Sequence, residues 1–122
     1  MVSARRDSVL VDLAIESLRR SGRLRFRAQG TSMLPTIRPG SQVEIGHASP
    51  DQISAGDIVL TKTRSGLRLH RVVEIGAGSL VVTRGDNHLH NDEPCRAQDV
   101  LGRLRLVGPA PRLWRRLLRR FR

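Results

Sequence analysis

The sequence predicts a mainly β protein: one small, mostly antiparallel β-domain with a helix before it and a short basic helix after it. Three observations predict this. Apolar residues recur with a period of two in short segments between Arg23 and Val107. Glycine-containing turns separate those segments. Apolar residues at helical spacing occur only at the two ends.

The elements follow in order. Asp7 to Gly22 reads as a helix with Val9, Leu10, Leu13, Ala14 and Leu18 on one face. Asp7 or Ser8 is the expected cap, Arg19 and Arg20 fill the last turn, and Gly22 suits the left-handed position after it. "RLRFRA" then alternates Leu24, Phe26 and Ala28 against Arg23, Arg25 and Arg27. Further strands are expected in "SQVEI", "GDIVLTKT", "LRLHRVVEI", "SLVVTRG" and "DVLGRLRLV". "NHLHNDEP" reads as a polar loop. In the tail, Leu113, Trp114, Leu117, Leu118 and Phe121 fall on one side of a helix, and six arginines between Arg112 and Arg122 fall on the other. The organisation is therefore 1–22 helix, 23–108 β-domain and 109–122 basic amphipathic tail.

Composition narrows the classes. The chain has 122 residues, enough for one domain with a modest core. It holds two Phe, one Trp and no Tyr, so Val, Leu and Ile must build that core. The same scarcity removes the aromatic platforms of base-stacking modules, and no specific nucleic-acid partner is expected. Net charge is +11, nearly all of it from Arg, since Lys62 is the single lysine. From Arg103 onward there are eight Arg and no acid. That tail is suited to an anionic membrane surface or a protein partner. Cys95 is the sole cysteine, which excludes an internal disulfide. No His/Cys set has zinc spacing, and neither metal nor cofactor is expected. No run reaches the roughly 18 apolar residues of a span. Asp12 and Glu16 interrupt any signal-peptide core. A cytoplasmic chain follows, peripheral at the inner membrane face if the tail binds lipid.

One segment stands out chemically. Ala28 to Ile37 is ten uncharged residues in a strongly basic chain, with Ser32 in the middle. A serine becomes a nucleophile only beside a base, which is usually oriented by a third group. His70 lies in a predicted strand, and Asp86 and Asp92 lie beyond the next one. Each residue also has a plainer reading. Ser32 fits a turn, His70 a half-buried strand histidine, and Asp86 with Asn87 another turn. Asp92 also fits a solvated loop acid. His88 and His90 read as solvated loop histidines, with no third metal ligand evident. Lys62 reads as a strand-end lysine and Cys95 as an incidental thiol.

Taken together, "GTSMLPTI", "GDIVL", "LHRVV", "TRGDNHLHND" and "DVLGRL" occur in an order that resembles the signal peptidase I family. The resemblance is to its archaeal and endoplasmic-reticulum branch, where the base is histidine rather than lysine, and it runs from about Gly30 to Gly102. It implies a coiled antiparallel β-domain. It also implies Ser32 as nucleophile, His70 as general base, Asp92 as the acid orienting His70, and Asp86 as a loop or site support. The implied activity is serine endopeptidase cleavage after small residues in a leader or signal-like segment of a peptide or protein. Two departures matter. The family's membrane span is replaced by Asp7 to Gly22, and an oxyanion-hole serine two positions before the nucleophile is replaced by Gly30. Two rival classes remain. One is a catalytically idle binding module using the Arg-rich tail. The other is a LexA-like regulator, which requires a lysine base and an N-terminal DNA-binding domain.

Overall fold

A computed structural model describes residues 4–109. The predicted basic tail over 109–122, with its helix from Arg112 to Arg122, lies outside these residues apart from Pro109. The chain opens with helix α1 (Ala4–Ser21) and continues as β1 (Arg23–Arg27), β2 (Gln42–His47), β3 (Ile58–Thr63), β4 (Gly66–Ile75), β5 (Leu80–Arg84), β6 (Cys95–Arg96) and β7 (Val100–Val107). The protein is mainly β, as the periodicity predicts.

The seven strands form one sheet in the order β1-β2-β7-β3-β4-β5-β6, and every pairing is antiparallel. Strand β7 is the last in sequence but sits centrally, between β2 and β3. Register shifts occur at Glu44/Ile45, Leu60/Thr61 and Val72/Glu74. Such bulges bend strands and increase local twist. The bending shows in what α1 touches: it packs on both β1 and β4, which three strands separate in the sheet order. Helix α1 touches the strands between them less, as a helix does that bridges the opening of a curled sheet.

The interior is aliphatic, as composition requires. Val43, Ile45, Val59, Leu60 and Val72 are all buried, and the alternation of β3 sends Val59 and Leu60 to separate clusters. Ala28, Met33 and Ile37 join Val43 and Ile58 in one cluster, so the Ser32 loop is rooted in the core at both ends. Backbone bonds close its base: the Ala28 N–H donates to Ser41 and the Gly40 N–H donates back to Ala28.

Helix α1 departs from expectation in two ways. It begins at Ala4, so Asp7 and Ser8 lie inside it rather than at its cap. Its buried stripe is Val11, Ala14 and Leu18, at i, i+3 and i+7, while Val9, Leu10 and Leu13 are more than half exposed. Three residues of one stripe suffice to close the sheet opening; the next stripe round faces outward. Gly22 ends the helix at φ +76°, the left-handed conformation a side chain resists. The two-residue strand β6 was not foreseen, because it is pinned by β5 rather than by any period of its own. Among the described residues no helix is long and apolar enough to cross a membrane.

Candidate active site

Ser32 sits on the loop after β1, half-buried, between buried Met33 and the turn at Gly30. The Leu34 N–H donates to Thr31 and the Ile37 N–H to Met33, which coils the loop tightly around the serine. The loop is also held from outside. Asn87 donates its backbone N–H to the Ser32 carbonyl at 2.8 Å and its side-chain amide to the Thr31 carbonyl at 3.1 Å. Thr36 donates to Asp86, and the Asp86 N–H contacts Met33 Sδ at 3.4 Å.

His70 lies in β4 opposite Val59 of β3 and is buried. Its ring bridges two partners. Nε2 is 3.2 Å from Ser32 Oγ, and Nδ1 is 2.6 Å from Asp92 Oδ2. Asp92 follows β5 and is tied to it twice. Its N–H donates to the Thr83 carbonyl and its carboxylate accepts from Thr83 Oγ1, both at 2.8 Å. Burial pushes the Asp92 carboxyl up, but hydrogen bonds from His70 and Thr83 and the charge of Arg68 outweigh it and hold the group below its ordinary value. An ionised carboxylate only accepts, so the proton between the pair belongs on Nδ1. That tautomer leaves the Nε2 lone pair facing the serine hydroxyl.

Asp86 does different work. Arg71 grips it with Nε and Nη2, each at 2.8 Å, and this guanidinium, with Thr36, holds the carboxyl below its ordinary range despite burial. The four residues named from the sequence thus fall into two sets. Ser32, His70 and Asp92 form one continuous chain, while Asp86 joins Arg71 to the serine loop. His70 and Arg71 are consecutive in β4, so their side chains leave opposite faces of the strand. That alternation sorts the two acids. Lys62, the single lysine, is exposed on β3.

Several residues at the site were not singled out from the sequence. Thr83 is 1% exposed and fixes Asp92; an inward threonine in a strand carries no signal of that role. Asn87 lies within the quoted "GDN", where its side chain reads as turn chemistry. His88, expected as a solvated loop residue, is exposed but stands edge-to-face on His70, with ring centroids 5.3 Å apart at 86°. One nitrogen each of His70 and His88 and a carboxylate oxygen of Asp92 lie within 4.8 Å of one another. The sequence offered no third ligand beside His88; the fold supplies two.

Gly85 explains how so much fits. A Cβ there would stand 2.7 Å from the Ser32 carbonyl, 2.9 Å from His88 Nδ1 and 3.2 Å from His70 Nε2. Its glycine identity is set by close approach, since it allows the loop after β5 to lie directly against the serine.

The site opens into a groove of about 810 Å³ between α1 and the curled sheet. Leu13, Leu24, Phe26, Met33 and Leu69 line it together with Ser32, and Arg27 and Arg68 also contribute to its wall. Exposed Leu10 and Leu13 of α1 therefore form one wall of the space beside the serine.

No protein-family model matches the chain, and no curated protein matches it significantly.

Proposed function

We propose that the protein is a serine endopeptidase of signal-peptidase type, acting on a leader or signal-like segment of a peptide or protein. The observation that carries this reading is the bridging imidazole: His70 touches Ser32 through Nε2 at 3.2 Å and Asp92 through Nδ1 at 2.6 Å. A structural histidine needs one partner of this kind. A general base needs both, one to fix the tautomer and one to deprotonate.

The chemistry follows from the geometry. Nε2 takes the Ser32 proton as Oγ attacks the scissile carbonyl. Asp92 stabilises the imidazolium. Nε2 then delivers the proton to the leaving amine, and water hydrolyses the acyl-enzyme by the same route in reverse. The developing oxyanion needs N–H donors, because Gly30 supplies no hydroxyl. The Ser32 N–H has no protein acceptor among the described residues and is the first donor for that role. The apolar groove accommodates an extended peptide with aliphatic residues near the cut. By the family resemblance, small residues precede the scissile bond. Contact of the 112–122 segment with an anionic membrane or a partner, and a cytoplasmic site peripheral to the inner membrane face, belong to the same proposal and rest on charge and patterning alone.

The test is cleavage profiling of a leader-peptide library by mass spectrometry, with wild type against Ser32→Ala. Wild type cuts after small residues and the variant does not. Equal product patterns from both proteins sink the proposal.

A further inference from the structure

We propose that His70 and His88 bind one zinc-class divalent ion at the mouth of the site, and that the ion blocks the serine. The ligands are His70 Nε2 and His88 Nδ1, with Ser32 Oγ beside them. The blocking half rests on the peptidase reading above; the binding half stands on geometry alone.

The two imidazoles face one space. A Cβ of Gly85 would stand 2.9 Å from His88 Nδ1 and 3.2 Å from His70 Nε2, so both nitrogens border the space beside that glycine. Ser32 Oγ lies 3.2 Å from the same Nε2. Zinc binds imidazole nitrogens at about 2.0–2.1 Å in tetrahedral geometry, which places two such nitrogens about 3.3 Å apart. One ring nitrogen each of His70 and His88 and a carboxylate oxygen of Asp92 already lie within 4.8 Å of one another, and the exposed His88 side chain can turn toward buried His70.

The support behind His70 is what a metal ligand requires. A ligating histidine usually donates its other ring N–H to a carboxylate, which fixes the tautomer and raises basicity. Asp92 occupies that position at 2.6 Å and is itself held by Thr83 at 2.8 Å. The device that prepares Nε2 for a serine proton prepares it equally for a cation. Two imidazoles favour zinc, copper or nickel; magnesium and calcium need oxygen ligands. Asp92 is also partly neutralised by Arg68, whose Nε is 3.7 Å away, which further disfavours hard cations. An ion on Nε2 occupies the lone pair that takes the Ser32 proton, so hydrolysis stops until the ion leaves.

Isothermal titration calorimetry of the full chain with zinc chloride and with magnesium chloride tests the binding. Wild type and His90→Ala take up one zinc per chain and no magnesium. His88→Ala loses at least about tenfold in zinc affinity, since losing a direct ligand costs no less than losing an outer partner. No zinc uptake by wild type, or equal affinity in His88→Ala, overturns the site. Imidazole NMR signals of both His70 and His88 shift with zinc; a shift of His90 alone overturns the assignment. In the peptide assay zinc slows wild type, a chelator restores it, and His88→Ala keeps its own metal-free rate. Binding without slowing overturns the block. Failure of metal-free wild type to cleave counts against the peptidase reading, and the calorimetry is read separately because it uses no substrate.

Discussion

Asn87 donates its backbone N–H to the carbonyl of Ser32 at 2.8 Å, which makes the loop after β5 a clamp on the serine. The position of Ser32 is set by residues far along the chain as well as by its own turn. Four predictions follow from this clamp and from the groups it assembles.

Under the proposed mechanism, removing the hydroxyl or the imidazole ends cleavage. Ser32→Ala and His70→Ala leave no cleavage above background in the peptide assay. Asp92→Asn retains the shape but offers Nδ1 a donor in place of an acceptor, and the rate falls by about 10⁴-fold, as for a wrong tautomer in a serine triad. Circular dichroism keeps its β signature in Ser32→Ala and Asp92→Asn. Full activity in Asp92→Asn would remove Asp92 from the mechanism.

Asp86 acts on stability. Its carboxyl is held below the ordinary range by Arg71 and Thr36, so it favours the folded state at neutral pH. The sign follows directly: a depressed folded value gives stability that is present above the unfolded value and lost as pH falls through the folded one. Wild type therefore loses stability below about pH 4. Asp86→Asn loses about 1.5–3 kcal/mol at neutral pH, the range for a hydrogen bond to a charged group, and its denaturation midpoint is flatter in the acid range. Urea melts at pH 7 and pH 3 measure both. An Asp86→Asn curve parallel to wild type contradicts the assignment.

Gly85→Ala pushes the loop from the serine. The added methyl meets the Ser32 backbone carbonyl at 2.7 Å, and backbone cannot swing aside as a side-chain end can. Overpacking of this kind costs about 1–3 kcal/mol. Activity falls further than stability, because the same shift separates Ser32 from His70. The measurement pairs thermal melts with kcat. A variant with reduced Tm and wild-type kcat would mean that the clamp does not position the nucleophile.

On the peptidase proposal, Leu13 contacts substrate rather than core. It is 61% exposed yet lines the groove that holds Ser32. Leu13→Ser leaves folding stability within about 0.5 kcal/mol of wild type. It raises KM by about tenfold or more for substrates with aliphatic residues near the cut, the equivalent of one lost buried side chain. Unchanged KM across an aliphatic series would place the substrate elsewhere.

The sequence by itself determined the elements of this protein, because local periodicity is a local property. The alternation of Leu24 and Phe26 against Arg23, Arg25 and Arg27 is seen in β1, with the apolar side half-buried against the core. Turn glycines bounded the strands to within one or two residues. Motif order was enough to name Ser32, His70, Asp86 and Asp92 as one set. Their partition, which the family resemblance implied, has its physical basis in the fold. Which acid meets the imidazole depends on the face of β4 from which each side chain leaves, and on the anchoring of Asp92 to Thr83. The place of β7 between β2 and β3, the three bulges and the short β6 are long-range pairings, invisible to any window of sequence. The same holds for His88 against His70 and for Leu13 facing a groove rather than the core. Both positions exist only because the sheet curls, and curling is a property of seven strands together.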